Sequence, residues 1–299
     1  MLKFIFSKKY YADIGAHVFP VKKYQLIYQN LIAEDIITEQ NIIEPKLASL
    51  EDLRLVHTQQ YVKDLLGLKW TPSIMRSELP ISQGIVNAYL LATGGTILTA
   101  QRAMEDGIAV NIGGGFHHAF PDHAEGFCYT NDIAIAIRRL QHAKAIGKAA
   151  VVDCDVHQGN GTAYIFQNDP SVFTFSIHQE NNYPVKQKSD LDIGLDDYTN
   201  DSEYMRHIQR VVPQILDEFQ PDFLLYAAGT DPYIDDQLGG LSLSIDGLKQ
   251  RDKFIISGCV TRGIPIAIVL AGGYAVKTND TVEIHCNTCR VASELSLSK

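Results

Sequence analysis

Carboxylates and a histidine alternate in one short segment of the chain. Asp153, Asp155 and His157 occupy every second position, so at an extended strand end Asp155 and His157 point the same way and can reach one ion together. A third carboxylate, Asp231, follows a different apolar run. Two carboxylates and one imidazole leave a coordination position open for water, which is typical of a catalytic metal site. The spacing therefore predicts one catalytic divalent ion.

Two adjacent histidines and a tyrosine could supply the rest of the chemistry. His117 and His118 follow a triple glycine, and because imidazole titrates near neutral pH they could act as a general base and its electrostatic partner. Tyr274 follows two glycines, and beside a metal its hydroxyl could donate to a developing oxyanion. The triple glycine lacks the Gly-Lys-Ser/Thr ending of a phosphate-binding loop and the GxGxxG spacing, so we reject a phosphate site.

These side chains follow short, nearly continuous apolar runs of the kind found in strands buried on both faces of a parallel sheet. The runs span residues 108–112, 149–153, 172–177, 222–228 and 264–271. Helical patterns lie between them at 132–146 and 202–219, and the first hundred residues favour mostly helix. This alternation predicts an α/β protein, a three-layer α/β/α fold with a mainly parallel sheet. Ligand sites in such sheets form at the carboxyl ends of strands, so four strands should deliver these side chains to one edge.

Length and composition limit the class of protein. The 299 residues contain no repeat or linker and 45% hydrophobic residues, which predicts a single domain over residues 1–299. A net charge of −9 without a basic run argues against direct nucleic-acid binding. Five sparse cysteines favour a reduced, cytoplasmic setting, and we find neither a signal peptide nor an apolar run long enough to span a membrane.

Other polar motifs carry weaker signals. Cys286 and Cys289 form one CxxC pair without a second, so we do not expect a structural zinc site. Two histidines near the motif loops, His123 and His178, show no partner spacing and stay unassigned. The remaining histidines are interpreted as surface or packing residues; they are His57, His142, His207 and His285.

Seven segments, taken together and in this order, resemble the histone deacetylase family. They are RLVHTQQYV at 54–62, NIGGGFHHA at 111–119, GFCYTND at 126–132, VVDCDVHQGNGT at 151–162, TFSIHQ at 174–179, AAGTDPYIDDQLGGLSLS at 227–244 and LAGGYA at 270–275. The opening FSKKYYADIGAHVFPVKKY is similar to the class IV branch and its bacterial relatives. The resemblance implies an arginase-like fold and a zinc-dependent hydrolase acting on an acyl-lysine protein or peptide.

The resemblance also implies roles for individual residues. It assigns zinc binding to Asp155, His157 and Asp231, the general base to His118, its electrostatic or acid partner to His117, the oxyanion donor to Tyr274, and the orientation of His117 to Asp153. A structural potassium ion would be held, partly through backbone carbonyls, by Asp153, Asp155, His157, Ser176 and Ile177. The acyl-lysine tunnel would be walled by Phe127, Tyr183 and Leu238, with Gly126 keeping it open.

Position 160 departs from the better-known classes of the family. It is Asn, where those classes have an Asp partner for the second histidine, and Asn resembles class IV, whose members favour longer fatty acyl groups. A neutral Asn160 could fix the ring of His118 by hydrogen bonding without raising its pKa as an ionised Asp would. The alternative is that Asn160 only supports a turn in the segment GNGT.

Three other functions are weighed against lysine deacylation. An acetylpolyamine amidohydrolase would use the same chemistry on a free polyamine, and the sequence discriminates poorly between the two. An arginase-type binuclear manganese hydrolase would need carboxylates where Gly159 and Tyr233 stand. A metal-binding scaffold without activity would have a damaged site, yet every reacting group is present. Acyl length, oligomeric state and the choice between zinc and Fe(II) stay open.

Overall fold

Eight strands form one sheet in the computed structural model, which describes residues 2–297. In chain order they are β1 Lys3–Ile5, β2 Ile42–Ile43, β3 Ile108–Asn111, β4 Ala149–Asp153, β5 Val172–Gln179, β6 Leu191–Leu195, β7 Phe223–Ala227 and β8 Ile266–Val269. Every neighbouring pair is parallel, in the spatial order β2-β1-β3-β8-β7-β4-β5-β6. The predicted parallel sheet is confirmed.

The helices fall into two groups that cover the sheet. They are α1 Lys23–Ala33, α2 Leu50–Arg54, α3 Gln59–Leu66, α4 Pro72–Met75, α5 Gln83–Asp106, α6 Asp132–His142, α7 Asn160–Phe166, α8 Asp201–Gln214, α9 Ile245–Arg262 and α10 Thr278–Ser296. Helices α5, α6 and α7 pack in one series, and α1, α10, α9 and α8 pack in another. Both α5 and α10 contact β3, so the sheet lies between two helical layers.

Four neighbouring strands form the centre of the molecule. In β3, β8, β7 and β4 every residue is buried, which explains why their sequences are continuously apolar rather than alternating. They are consecutive in the sheet although β3 and β4 are far from β7 and β8 in the chain. Their carboxyl ends therefore lie side by side, and the loops that follow them share one edge.

Local signals set the ends of the long helix α5. The Ser82 hydroxyl accepts a hydrogen bond from the Ile85 N–H at the amino end, and Gly107, whose φ of 85° suits glycine, caps the carboxyl end. The predicted helix at 202–219 is α8 followed by a π-helical turn, Ile215–Phe219. This turn follows Pro213, which has no N–H to donate.

Three strands were missing from the prediction. The N-terminal region is mostly helical as expected, but it also contributes β1 and the two-residue β2 at one end of the sheet. At the other end, β6 alternates between partly buried and exposed residues, so it lacks a continuous apolar run. Among residues 2–297, no helix is both long enough and apolar enough to cross a membrane.

Candidate active site

The side chains predicted to do chemistry meet at the carboxyl edge of the four central strands. The histidine pair follows β3, the Asp155 and His157 segment follows β4, Asp231 follows β7, and Tyr274 follows β8. Strand β4 ends at Asp153, so Asp155 and His157 lie in an irregular loop rather than on a strand end. They still meet, because the His157 N–H donates to Asp155 Oδ1 over 3.0 Å.

Asp155, His157 and Asp231 form a buried cluster with the donor atoms of a metal site. One ligand atom of each lies within 4.8 Å of the others. His157 Nδ1 is 3.1 Å from Asp155 Oδ1 and 3.5 Å from Asp231 Oδ2. The Oδ2 atom of Asp231 is buried and accepts no hydrogen bond from the described residues. A buried carboxylate oxygen without a donor needs a cation, so the residues fit one divalent ion.

The charges in this cluster shift one another's pKa values. Burial, reinforced by the charge of Asp155, raises the pKa of Asp231 to about 7. Burial opposes a charge on His157, but the adjacent carboxylates of Asp155 and Asp231 outweigh burial and raise the pKa of the ring to about 10. Both shifts show a site that attracts positive charge, whether a proton or a metal.

Backbone groups hold the two carboxylates in place. Asp155 Oδ2 accepts from the Gly272 N–H at 2.9 Å, and Asp231 Oδ1 accepts from the Val156 N–H at 2.8 Å. A Cβ at Gly272 would lie 2.1 Å from Asp231 Oδ2, so only glycine allows this approach. Behind them, the fully buried Arg251 donates from Nη1 to the Gly229 carbonyl at 2.8 Å and the Cys154 carbonyl at 3.2 Å.

The two histidines are buried and have different outer partners. His117 Nδ1 lies 2.7 Å from Asp153 Oδ2, His118 Nδ1 lies 2.8 Å from Asn160 Oδ1, and the two Nε2 atoms are 3.0 Å apart. A contact of 3.0 Å between two ring nitrogens requires one proton between them. Asp153 accepts a hydrogen bond from His117 Nδ1, and its negative charge favours the cation on His117, which leaves His118 as the neutral ring.

The electrostatics agree with this assignment. Burial opposes the charged form of both rings. For His117 the charges of Asp153 and Asp155 outweigh burial and raise its pKa to about 9. Burial, together with the neighbouring His117 and His157, holds the pKa of His118 well below its usual value. His118 therefore has the protonation state of a base, with Nε2 unprotonated.

Tyr274 is held by backbone hydrogen bonds, and its ring packs against those of Phe19 and Phe127. Its N–H donates to Asp236 Oδ2 at 2.7 Å, and its carbonyl accepts from Gln237 Nε2 at 2.8 Å. Burial and the charges of the nearby aspartates raise the pKa of its hydroxyl well above the usual value, so the proton stays available for donation.

A buried cation lies beside Tyr274 and was not predicted. Lys23 Nζ is 5.8 Å from the centroid of the Tyr274 ring and donates to the Ala271 carbonyl at 2.9 Å. Burial lowers its pKa to about 8, against the opposing pull of Asp231 and Asp155. Nothing in the helical pattern around Lys23 distinguishes it from a surface lysine, because its burial depends on a segment 248 residues away.

A pocket of about 190 Å³ opens above these groups. His118, His157 and Tyr274 line it, together with all four of the predicted wall residues, which are Gly126, Phe127, Tyr183 and Leu238. Glu78 and Asn182 also line it and were not predicted. Glu78 has a φ of 59°, unusual for a residue other than glycine, but no sequence signal marks it.

Gly126 and Phe127 form a tight turn in the pocket wall. Their φ values are 49° and 61°, and the Cys128 N–H donates to the Glu125 carbonyl at 2.9 Å, as in a type I′ turn. A Cβ at Gly126 would lie 2.7 Å from His118 Cδ2 and 2.7 Å from the Tyr183 hydroxyl, so a larger residue would close the pocket.

Other predicted or unassigned residues lie outside this chemistry. His57 is buried with Nδ1 3.0 Å from the Phe120 carbonyl, and its Nε2 accepts from the Asn131 N–H, which makes it a packing residue. The Ser176 hydroxyl, a predicted potassium ligand, lies 2.9 Å from His178 Nδ1. His285 is fully buried in α10.

The described side chains form one metal-ligand cluster of at least three residues. At the first position where a binuclear site would need a carboxylate, Gly159 packs so that a Cβ would lie 2.3 Å from Asp153 Oδ2. At the second, the Tyr233 hydroxyl is directed to Asp235 and Asp280, at 3.5 and 3.4 Å. This arrangement supports a mononuclear site.

Comparison with known proteins places the chain among deacetylases. The family model for the histone deacetylase domain matches residues 17–289. An uncharacterised protein of Picosynechococcus sp. is 42% identical over 281 residues, which cover 93% of this chain and 94% of that protein. A probable deacetylase of Archaeoglobus fulgidus is 31% identical over 296 residues, covering 91% of this chain and 81% of the relative.

The fold has solved counterparts as well. The crystal structure of an HDAC homologue complexed with SAHA superposes with a TM-score of 0.85 at 25% identity, covering 99% of this chain and 88% of that one. The expected arginase- or deacetylase-like architecture is thus confirmed by fold as well as by sequence.

Proposed function

This chain belongs to the histone deacetylase family, and we propose that it is a zinc-dependent hydrolase that removes acyl groups from lysine side chains in proteins or peptides. Residues 1–299 would form its single catalytic domain. The observation that carries the proposal is the meeting of a metal-ligand cluster, a histidine pair and Tyr274 at one pocket.

Three side chains would move protons or stabilise charge during amide hydrolysis. The neutral His118 accepts a proton at Nε2 from the attacking water. The Tyr274 hydroxyl donates to the oxyanion that forms on the substrate carbonyl. His117, cationic beside Asp153, adds positive charge next to the reacting group. One of the two histidines then protonates the lysine amine as it leaves.

Asp155, His157 and Asp231 would hold the catalytic ion. A divalent ion bound there would supply Lewis-acid chemistry, polarising the substrate carbonyl and making a water molecule more acidic. The ligand set suits zinc, and its two carboxylates also suit Fe(II). The proposed structural potassium ion, at Asp153, Asp155, His157, Ser176 and Ile177, rests on the family resemblance alone.

The space beyond Tyr274 supports acyl chains longer than acetyl. One small cavity adjoins the pocket, with His118 and Tyr274 among its lining residues. A second shares Phe19, Tyr24 and Phe116 with the first and is lined mostly by apolar side chains. Apolar surface beyond the reacting carbonyl can accept methylene groups. Because the cavities are small, a long chain would require one of these aromatic side chains to move.

One observation keeps an acetylated polyamine as a second candidate substrate. The exposed Glu78 lines the pocket, and a carboxylate at an opening favours a cationic ligand. A free polyamine carries additional ammonium groups that a peptide lysine lacks, whereas a peptide offers backbone groups to the same carboxylate.

The test is a substrate panel on one zinc-loaded preparation. Lysine peptides carrying acetyl, butyryl, octanoyl and myristoyl groups would be assayed beside acetylspermidine, with the Asp231→Ala variant as background. We expect the highest kcat/KM on a peptide with a chain longer than acetyl. Values that are highest on acetyl and fall with each added carbon would contradict the length preference. Acetylspermidine outperforming every peptide would replace the lysine substrate with a polyamine.

A further inference from the structure

Glu125 is a buried carboxylate that the proposed chemistry does not use. Its Oε1 accepts a hydrogen bond from Asn160 Nδ2 at 2.7 Å. Its Oε2 pairs with the guanidinium of Arg76 and lies 3.5 Å from His123 Nε2. Asn160 is in turn the partner of His118, so an unbroken line of contacts runs from Arg76 at the surface to the proposed base.

A carboxylate at this position determines which way the Asn160 amide faces. An ionised carboxylate only accepts hydrogen bonds, so the NH₂ end of Asn160 must face Glu125 and the carbonyl end must face His118. A carbonyl oxygen accepts from His118 Nδ1, which therefore carries the ring proton. The other ring nitrogen, Nε2, then carries no proton of its own, as a base requires, and its lone pair faces the Nε2–H of His117.

The reversed amide would give the wrong tautomer. With NH₂ toward the ring, His118 Nδ1 would have to accept, and the proton of a neutral imidazole would move to Nε2. That tautomer cannot take a proton from water at Nε2. The energetic difference between the two arrangements comes from Glu125, because Asn160 alone offers a donor and an acceptor of similar shape.

We propose that Glu125 is a positioning residue that fixes the reactive tautomer of His118 through Asn160. The proposal rests on the proposed function, since it gives His118 the role of base. It also revises the sequence-based hypothesis for position 160: the neutral Asn160 transmits the orientation, while the negative charge is one residue farther from the ring.

The surroundings of Glu125 keep it ionised. Burial acts to raise its pKa, but the nearby ring of His123, the hydrogen bond from Asn160 and the charge of Arg76 outweigh burial and lower it. Arg76 is more than half exposed, so its charge is partly screened by solvent. Glu125 is therefore an acceptor at neutral pH.

The same residue anchors the pocket wall. The Glu125 N–H donates to the Cys128 carbonyl at 3.1 Å and the Cys128 N–H returns the bond at 2.9 Å, which closes the turn of Gly126 and Phe127. These are backbone contacts, so a change in the Glu125 side chain alone leaves them intact. The side-chain role can thus be tested without removing the wall.

The first test exchanges the amide and the carboxylate between the two positions. In Glu125→Gln the side chain at position 125 can donate as well as accept, so the Asn160 amide can face His118 with either end. We expect kcat to fall about 10- to 100-fold while KM stays within about twofold. Asn160→Asp places two carboxylates in contact, at atoms now 2.7 Å apart, and should also lower kcat. In the double variant the new amide at position 125 can donate to the new carboxylate at position 160, which can still accept from His118. Its kcat should therefore recover to within about threefold of wild type.

The second test reads the tautomer directly. Nitrogen-15 NMR of the zinc-loaded protein, with labelled histidine, distinguishes a protonated from an unprotonated ring nitrogen. We expect His118 to carry its proton on Nδ1 in the wild type and in the double variant, and a mixed or reversed signal in Glu125→Gln. This measurement does not depend on the substrate, so it decides the proposal even if acyl-lysine peptides prove not to be hydrolysed.

A matched control is available in α3. Asp64 is also a carboxylate bound by an amide and a cation, accepting from Gln60 Nε2 and Lys69 Nζ at 2.8 Å each, but it contacts none of the site residues described above. Asp64→Asn should leave kcat and the His118 signal unchanged, and the thermal midpoints of all variants would be compared. Wild-type kcat and a wild-type tautomer in Glu125→Gln would overturn the proposal, as would a double variant no better than the poorer single one.

Discussion

The inner and outer parts of the pocket are built in different ways. The inner part, the floor, consists of Asp155, His157 and Asp231, which are at most 7% exposed. Its two carboxylates accept from backbone N–H groups in the loops after β4 and β8. The outer part, the wall, is made of loop residues such as Phe127, at positive φ, and Tyr183, which is 39% exposed. The floor residues lie in buried segments directly after central strands, whereas the wall depends on more exposed loops. We therefore expect floor substitutions to affect every substrate, and wall substitutions to affect the choice among substrates.

The largest effect should follow the loss of a floor ligand. Asp231→Ala removes the carboxylate oxygen that has no other partner among the described residues, so the two remaining side chains should fail to retain the ion. We expect elemental analysis to fall from one ion per chain to almost none, and turnover to fall to background. The control is Asp235→Ala, an exposed carboxylate in the same loop, which should keep both. Two transition-metal ions per active wild-type chain would contradict the mononuclear floor.

A substitution at Tyr274 tests whether catalysis can be lost while the floor still binds its metal. Tyr274→Phe keeps the packed ring and removes the hydroxyl that would donate to the oxyanion, so kcat should fall about 100-fold or more. The metal content should stay at one ion per chain, because Tyr274 is not among the ligands. Tyr233→Phe is the matched control and should be nearly as active as wild type. Near-normal turnover of a folded Tyr274→Phe protein would make Tyr274 a packing residue.

The smallest effect should come from the wall. The Tyr183 ring lies 5.2 Å from the His118 ring between centroids but is partly exposed, so it can offer only part of its surface to an alkyl chain. Tyr183→Ala should raise KM for acyl-lysine peptides about three- to tenfold, more for long chains than for acetyl, with kcat nearly unchanged. Steady-state kinetics on the acyl series measures this. A large loss of kcat with loss of metal would show that floor and wall are not separable.

The difference between floor and wall also explains what the sequence could predict. Continuous apolar runs identified β3, β4, β7 and β8, and polar motifs directly after them identified the residues that the structure brings together. The reasoning for Asp155 and His157 was partly wrong, since both lie beyond the end of β4. The parallel sheet nevertheless brings every segment that follows these strands to the same edge.

Residues whose environment depends on distant segments could not be predicted. Lys23 is in a helical run, and its burial beside Tyr274 arises only when α1 docks near the loop after β8. Glu125 precedes the recognised segment at 126–132, and its contact with Asn160 depends on the fold of two loops. Periodicity and motif spacing describe neighbours along the chain, so they do not report such contacts.

The buried ion pair of Arg251 and Asp252 limits how this sequence can change by mutation. Arg251 is fully buried with Asp252, whose carboxylate also accepts from the Tyr226 and Thr288 hydroxyls. Removing one partner of a buried ion pair leaves an unpaired charge and costs about 3–5 kcal/mol, whereas replacing both with apolar residues is often neutral. Either single substitution therefore passes through a poorly stable intermediate. The two positions form an epistatic pair, and descendants of this sequence can leave the Arg–Asp combination readily only by two nearly simultaneous changes.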